Sequence, residues 1–209
     1  MATESAGARA DNDRFFRLDA PLTEQDVLGL HAGDEVWLDG IIWGVRDATL
    51  IRFFHEGRRP EGVDLGGAAF IHTAPSVKKD ESGRYRPVSV GTTTSMRMDS
   101  FTRGCLEELG GRAIIGKGGL SDESLAHLRT FGGVYLSITG GAASAETLQI
   151  EEIEEVLWED LMPECLWKFR VKDFGPLFVT MDAHGQSTYN QVKGQAERNR
   201  EAAYRKLGL

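Results

Sequence analysis

Glycine divides this chain into short segments, and this division constrains the fold more than any other feature of the sequence. From Phe15 onward, apolar runs are interrupted roughly every 10 to 20 residues by one or more of the 25 glycines, without a fixed repeat period. Several runs are rich in β-branched residues, and between them lie segments with helical spacing of apolar residues. Strands that alternate with helices predict an α/β domain with a mixed sheet and flanking helices.

The element boundaries follow from the same patterns. The segment EVWLDGIIWGV at Glu35–Val45 predicts two strands that meet at Asp39-Gly40. Residues 142–161 stay open between helix and strand. Further strands are predicted at residues 68–72, 86–90, 113–115, 134–138, 166–171 and 177–181, and helices at residues 101–109, 121–130 (with Ser121 as N-cap) and 191–207.

Composition limits the class of protein. The net charge is −8, which argues against a nucleic-acid partner, and no apolar stretch is long enough to predict a membrane span. Residues 1–14 are small and polar, so we expect a disordered lead-in followed by one domain over residues 15–209. The two cysteines, Cys105 and Cys165, are isolated from each other, and the start of the chain has no signal-peptide pattern, so we expect a cytoplasmic protein.

Three predicted strands end in loops that carry cations or hydroxyl groups. One ends in Arg46-Asp47, the second in GTTTSMR at residues 91–97, and the third in GKGG at residues 116–119. Ligands of open α/β sheets bind beyond the carboxyl ends of the strands, where glycine lets backbone N–H groups approach an anion. Two arginines and a lysine suit a small molecule that bears two carboxylates.

These segments are also compatible with other interpretations. Each loop taken alone is also compatible with a solvated lysine in a glycine turn or with a β-rich threonine run. The segment GRAIIGK at residues 111–117 resembles a phosphate-binding loop, but Gly118 replaces the required hydroxyl, so nucleotide binding is rejected. The five histidines are scattered, no metal site is predicted in this chain, and no Gly-x-Ser-x-Gly elbow is present.

The segments GTTTSMRMD at residues 91–99 and IGKGG at residues 115–119 resemble the β subunit of the iron–sulfur hydro-lyases of the class I fumarase and L(+)-tartrate dehydratase family. The resemblance extends over about residues 18–189. It implies a swivelling β/β/α domain that closes over a [4Fe-4S] cluster held by three cysteines of a separate α subunit. It also implies the reversible addition or loss of water on a dicarboxylate. We further expect a heterotetramer or larger complex, because an apolar, strand-rich domain with several tryptophans should share part of its surface with the α subunit.

The resemblance also implies roles for individual residues. Arg46, Thr93, Arg97 and Lys117 match substrate-contacting positions of the family, and Thr94 of the same loop is a further candidate for substrate binding. Thr93 and Lys117 are the candidate catalytic residues, with Thr93 as a relay for the proton, because the family's general base is generally sought on the α subunit.

Some positions depart from the family pattern. Thr92 replaces a proline, Leu50 replaces a histidine four residues after Arg46, and residues 72–75 read His-Thr-Ala-Pro. Residues 171–185 favour tartrate as substrate, whereas Gly-Gly-Ala-Ala at residues 140–143 favours fumarate. The leading hypothesis is a hydro-lyase β subunit that acts on fumarate and malate or on L(+)-tartrate. The alternative is a non-catalytic dicarboxylate-binding or regulatory module of the same fold.

Overall fold

The computed structural model describes residues 14–139, 141 and 143–208. Two 3-10 helices, at Ser95–Phe101 and Glu159–Leu161, supplement the regular elements. In order, the elements are β1 (Phe15–Ala20), α1 (Glu24–Leu28), β2 (Glu35–Val45), α2 (Asp47–Phe54), β3 (Ala69–His72), β4 (Ser76–Lys79), β5 (Tyr85–Ser89), α3 (Thr102–Glu107), β6 (Ala113–Gly116), α4 (Asp122–Phe131), β7 (Val134–Ser137), α5 (Ala143–Leu148), β8 (Ile150–Leu157), β9 (Leu166–Met181) and α6 (Thr188–Leu207).

The large sheet closes on itself. Its strand order is β1-β2-β3-β6-β7-β9-β8, and β9 pairs in addition with β2. Since β9 runs antiparallel to both β7 and β2, the strands β2, β3, β6, β7 and β9 form a barrel-like ring. The predicted α/β class with a mixed sheet and flanking helices is confirmed; the closure of the sheet was not predicted.

Four strands of the ring, β2, β3, β6 and β7, are mutually parallel. Parallel neighbours need crossover connections, and α2, α3 and α4 lie in the three crossovers between them. The carboxyl ends of all four strands therefore meet at one edge of the ring.

Side chains of these strands are buried on both faces. Ala113 and Ile115 of β6 belong to the larger core cluster together with Trp167 and Phe169 of β9. Ile114, which lies between them in sequence, packs on the other face with residues of α3 and α4. Burial on both faces explains the nearly continuous apolar runs of the parallel strands.

Two predicted breaks in strands are wrong. Glu35–Val45 is one strand, because Gly40 with φ +97° lies at a register irregularity against β9 and does not form a hairpin turn. Residues 166–171 and 177–181 belong to one strand, Leu166–Met181, since Phe174 between them still pairs with Leu38 of β2. A long antiparallel partner thus keeps both segments extended.

Other predicted elements are present with boundaries that differ from the predicted ones. The strand predicted at residues 86–90 is Tyr85–Ser89, and it pairs with Ser76–Lys79 in a separate two-stranded sheet. Residues 142–161 contain both a short helix and the strand Ile150–Leu157. The helix predicted from residue 101 is the 3-10 helix followed by Thr102–Glu107, whereas Ser121 is confirmed as the N-cap of α4.

Part of the predicted organisation lies outside the described residues. The predicted lead-in falls there except for Arg14, whose carbonyl accepts a hydrogen bond of 2.9 Å from the N–H of Glu35. Gly140 and Ala142 of the Gly-Gly-Ala-Ala stretch also lie outside the description. Among the described helices, none combines the length and the apolar character that a membrane span requires.

Close packing of β2 against β9 makes Gly44 a sensitive position. A Cβ added at Gly44 would lie 2.6 Å from Cε2 of Phe169 and 3.0 Å from Cβ of Trp167. We expect Gly44→Ala to lower the free energy of unfolding by about 1–3 kcal/mol in chemical denaturation, as overpacked cores do. The control Gly194→Ala lies in exposed α6, where alanine should stabilise by roughly 0.5–1 kcal/mol. An unfolding midpoint of Gly44→Ala equal to that of the parent would contradict the packing described here.

Candidate functional site

The parallel strands bring the predicted cationic loops to one edge. Arg46 follows β2, His72 ends β3 and Lys117 follows β6. The loop at residues 91–97 follows β5, as predicted, but β5 belongs to the two-stranded sheet with β4 and not to the large sheet. The loop instead joins the edge through backbone pairing of Thr94 with Lys117 and a 2.7 Å hydrogen bond from the N–H of Thr93 to the carbonyl of His72.

Both candidate arginines contact one carboxylate. Nε of Arg46 lies 3.3 Å from Oδ2 of Asp47, and Nη2 of Arg97 lies 3.0 Å from the same oxygen. The Arg46 side chain is 23% exposed and that of Arg97 is 54% exposed, so both guanidinium groups can be reached from solvent. Charge-assisted contacts of this kind orient a guanidinium without neutralising it completely.

Glu164 supports Arg46 from another part of the chain. Arg46 occupies the N-cap of α2 without a capping side-chain bond. The Glu164 carboxylate instead accepts a 2.8 Å hydrogen bond from the N–H of Ala48 and lies 3.3 Å from Nε of Arg46. A carboxylate at a helix N-terminus satisfies unpaired N–H groups and favours the local dipole, so Glu164 fixes the position of Arg46.

Lys117 is placed by its backbone. Its carbonyl accepts a 2.9 Å hydrogen bond from the N–H of Ser95, and it is followed by Gly118 and Gly119 with φ of +85° and +75°. Within the described part of the chain, no carboxylate lies within 4.0 Å of the ammonium group, although Lys117 exerts an electrostatic effect on Glu146. Lys117 is thus less neutralised than the two arginines.

A buried group of hydrogen-bonded side chains lies beneath the loop. Oγ of Ser95 is 3.0 Å from Nδ1 of His72 and accepts a 2.9 Å hydrogen bond from the Tyr135 hydroxyl. A Cβ at Gly116 would lie only 1.9 Å from this oxygen, so the position requires glycine. Complete burial lowers the pKa of His72 to about 4, and Nε2 of the ring has no hydrogen-bond partner.

Asp99 holds the far end of the loop. Its carboxylate accepts hydrogen bonds from the N–H of Ser121 (2.8 Å), from the Ser121 hydroxyl (2.7 Å) and from the Ser124 hydroxyl (2.7 Å). These donors lie at the N-terminus of α4, where a negative charge is favoured. The loop that carries Thr93, Thr94 and Arg97 is therefore fixed at both ends.

Neither cysteine fits as a ligand of an iron–sulfur cluster. Both are buried free thiols in different core clusters, and desolvation raises the pKa of Cys105 to about 12 and that of Cys165 to about 11. A metal ligand must be a thiolate, which such burial opposes. No group of three potential metal-ligating side chains occurs among the described residues.

The structure brings together Arg46, Arg97 and Lys117 at the edge to which the backbone of Thr93 and Thr94 is also attached. Sequence reasoning missed three residues that shape this edge: Ser95, Glu146 and Glu164. Ser95 lies inside the quoted GTTTSMRMD segment, and its position before the arginine could have suggested a role. Glu146 and Glu164 had no such signal, because their proximity to the loops depends on the tertiary fold.

Burial of His72 generates a test of this arrangement. Because the pKa of His72 falls from 6.5 to about 4 on folding, the unfolded chain binds more protons within this window, and stability is lost as the pH falls through it. We expect the free energy of unfolding to decrease by up to about 3 kcal/mol through this residue between pH 6.5 and 4. Denaturation across this range should show a shallower slope for His72→Asn than for the parent and for the control His55→Asn, an exposed histidine. If the free energy of unfolding depended equally on pH in all three proteins, His72 would be solvated and the burial described here would be contradicted.

Comparison with known proteins identifies relatives of this chain. The family model described as Fumarase C-terminus matches residues 2–192. The L(+)-tartrate dehydratase subunit beta of Escherichia coli (strain K12) is 40% identical over 177 residues, which cover 84% of this chain and 87% of that protein. A provisionally named L(+)-tartrate dehydratase subunit beta of Methanocaldococcus jannaschii is 35% identical over 175 residues, 82% of this chain and 89% of its own length.

A longer relative extends the comparison to fumarases. A provisionally named fumarate hydratase class I of Geobacillus stearothermophilus is 39% identical over 194 residues, which cover 92% of this chain and 37% of that protein. The resemblance stated from the residues 91–99 and 115–119 is thus confirmed over most of the chain. This chain belongs to the Fumarase C-terminus family, in the group formed by class I fumarate hydratases and L(+)-tartrate dehydratase β subunits.

Proposed function

We propose that this chain is the β subunit of a two-subunit [4Fe-4S] hydro-lyase that hydrates and dehydrates a four-carbon dicarboxylate. The substrates are fumarate and malate, or L(+)-tartrate, which is dehydrated to oxaloacetate. The observation that carries the proposal is the convergence of Arg46 and Arg97 on Asp47 at the edge that also bears Lys117. The names of the relatives support the reaction class.

In this proposal, different cations bind the two carboxylates of the substrate. Arg46 and Arg97 bind one carboxylate, since Asp47 already holds their guanidinium groups close together. Lys117, which has no carboxylate within 4.0 Å among the described residues, binds the other. The hydroxyls of Thr93 and Thr94 orient the substrate, and Thr93 relays the proton that the reacting carbon gains or loses.

The cluster belongs to the partner in this proposal, because the buried thiols of this chain do not fit it. When bound in the α subunit, the cluster supplies the Lewis acid that polarises the substrate hydroxyl. This domain swivels to close over that subunit and excludes water from the edge of the sheet that bears Arg46, Arg97 and Lys117. We further propose a cytoplasmic heterotetramer; the free cysteines suit a reducing compartment, and light scattering of the co-purified subunits tests the assembly.

The isolated chain tests whether the cluster and the activity depend on the α subunit. Purified alone, it should be colourless, lack broad iron–sulfur absorbance and show no dehydratase activity. Anaerobic co-expression with the α subunit should give hydration of fumarate, or dehydration of one tartrate stereoisomer. Iron binding and turnover by the isolated chain would overturn the subunit assignment.

Charge removal at Lys117 tests substrate binding. Lys117→Met keeps the length of the side chain but removes a charge-assisted hydrogen bond worth about 1.5–3 kcal/mol, so kcat/KM of the complex should fall roughly 10- to 100-fold. Iron content should stay unchanged. The control Lys206→Met, on exposed α6, should stay within about twofold of the parent. Near-parental kcat/KM for Lys117→Met would show that this loop is not part of the active site.

The shape of the guanidinium group is tested separately. Arg97→Lys retains the charge but not the planar pair of donors that grips a carboxylate, so we expect a loss of kcat/KM of about tenfold or more. The matched control Arg103→Lys changes an exposed arginine that pairs with Glu107 on α3. Parental activity in both variants would contradict a role for the planar guanidinium group of Arg97.

A further inference from the structure

The loop that carries Lys117 continues into two glycines in the left-handed region. Gly118 and Gly119 have φ of +85° and +75°. Glycine adopts such a conformation easily, but it also loses more conformational freedom on ordering than any other residue. The hydrogen bond from the N–H of Ser95 holds the carbonyl of Lys117, and the two glycines lie beyond it. The loop therefore needs a further contact to hold its backbone in one conformation.

Tyr189, in the first turn of α6, supplies a contact of this kind. A Cβ added at Gly119 would lie 2.7 Å from Cε2 of the Tyr189 ring and 3.1 Å from both Cδ2 and Cζ. The ring therefore lies directly against the backbone of Gly119, two residues after Lys117. It occupies the space into which this backbone would otherwise move.

The hydroxyl group of Tyr189 fixes the orientation of the ring. It lies 2.7 Å from the hydroxyl oxygen of Ser137 at the end of β7, and that oxygen lies 2.7 Å from the hydroxyl oxygen of Thr180 on β9. Hydrogen bonds thus connect the ring to two strands of the large sheet. Since Tyr189 is 37% exposed, its replacement leaves no cavity in the hydrophobic core.

Further contacts fix the start of α6 itself. The fully buried carboxylate of Asp182 accepts hydrogen bonds from the N–H groups of His184 (3.0 Å) and Gln186 (2.8 Å), which shape the turn between β9 and α6. The side chain of Asn190 donates a 2.7 Å hydrogen bond to Asp122 at the start of α4. The backbone that carries the tyrosine ring is therefore held in place without the ring.

We propose that Tyr189 is a positioning residue for Lys117: its ring restricts the Gly118-Gly119 backbone and keeps the loop in the conformation that binds a substrate carboxylate. The proposal rests on the proposed function of Lys117. Without the ring, the substrate must order the loop when it binds, which weakens binding in the ground state and in the transition state alike. KM for the dicarboxylate should therefore rise, while kcat changes little.

Loop mobility can be measured first in the isolated full-length chain, without catalysis. Amide relaxation measured by NMR should give order parameters of about 0.85 at Gly118 and Gly119 in the parent, and below about 0.6 in Tyr189→Ala. Tyr189→Phe, which keeps the ring, should retain the parental values, and so should the control Tyr204→Ala at an exposed position of α6. Equal order parameters in the parent and in Tyr189→Ala would overturn the proposal.

A second variant decides the question if Tyr189→Ala does not fold. Tyr189→Leu keeps an apolar side chain on α6 but cannot place a flat ring against Gly119. Its order parameters at Gly118 and Gly119 should lie below those of the parent. Parental values in Tyr189→Leu would show that the ring does not restrict the loop.

The reconstituted complex provides the kinetic measurement. Tyr189→Ala should raise KM roughly fivefold or more, as the entropy of ordering one backbone residue implies, and kcat should stay within about twofold. Tyr189→Phe should restore KM to within about twofold of the parent, which the control Tyr204→Ala should also match. A purely structural role would lower the amount of active complex and hence kcat at unchanged KM, and that result would overturn the proposal.

A double variant tests whether Tyr189 acts through Lys117. When Tyr189→Ala is added to Lys117→Met, KM should change by less than about twofold, because the ammonium group that the loop presents is already absent. If the effects of the two substitutions on KM multiply in full, the ring acts on another group and the proposal is wrong.

The relaxation and kinetic measurements separate this proposal from the proposed function. If no complex turns over any dicarboxylate, the proposed function fails and the positioning role fails with it, while the relaxation data still decide whether the ring restricts the glycines. If Lys117→Met impairs an active complex but Tyr189→Ala keeps the parental KM, the proposed function stands and the positioning role of Tyr189 is lost.

Discussion

The pairing of β9 with both β2 and β7 is the constraint on which the rest of the structure depends. It closes the sheet, buries Trp167 and Phe169 in the larger core cluster, and fixes the relative positions of the parallel strands. Since those strands all end at one edge, the loops after β2 and β6 lie at the same edge, and the loop at residues 91–97 joins them through its backbone contacts with His72 and Lys117. Without this closure, the register between β2 and β7 would have no direct restraint.

Concentrating cations at one edge has an electrostatic cost that nearby carboxylates offset. Asp47 and Glu164 each lie within 3.3 Å of the Arg46 guanidinium, and Asp47 also contacts Arg97. Like charges would otherwise repel in a partly desolvated site. Lys117 differs, because no carboxylate of the described residues lies within 4.0 Å of its ammonium group. The edge thus combines two cations that carboxylates compensate with one that has no carboxylate this close.

The sequence predicted the class of fold and the cationic loops, but not the way in which they are held. Strong β-branched runs such as residues 113–115 are decided by local patterns, and Ser121 has the side chain that an N-cap requires. By contrast, residues 172–176 contain charged residues, glycine and proline, and they stay in the strand through tertiary contacts such as the pairing of Phe174 with Leu38 of β2. Glu146 and Glu164 could not be predicted from the sequence for the same reason, because their burial and their proximity to the loops arise from tertiary contacts.

Two of the three departures from the family pattern, Leu50 and Thr92, lie in elements that carry the candidate site residues. Leu50 is fully buried and packs in the core cluster that includes Phe53 and Met98, on the helix whose N-cap is Arg46. Thr92 is 8% exposed and its backbone pairs with Thr73, which holds the loop at the edge. Leu50 is buried, so this position presents no group at the exposed edge. Arg46, Arg97 and Lys117 are retained there, and they would bind carboxylates in a hydro-lyase and in a binding module alike. Neither departure therefore removes a group on which the proposed binding of a dicarboxylate rests.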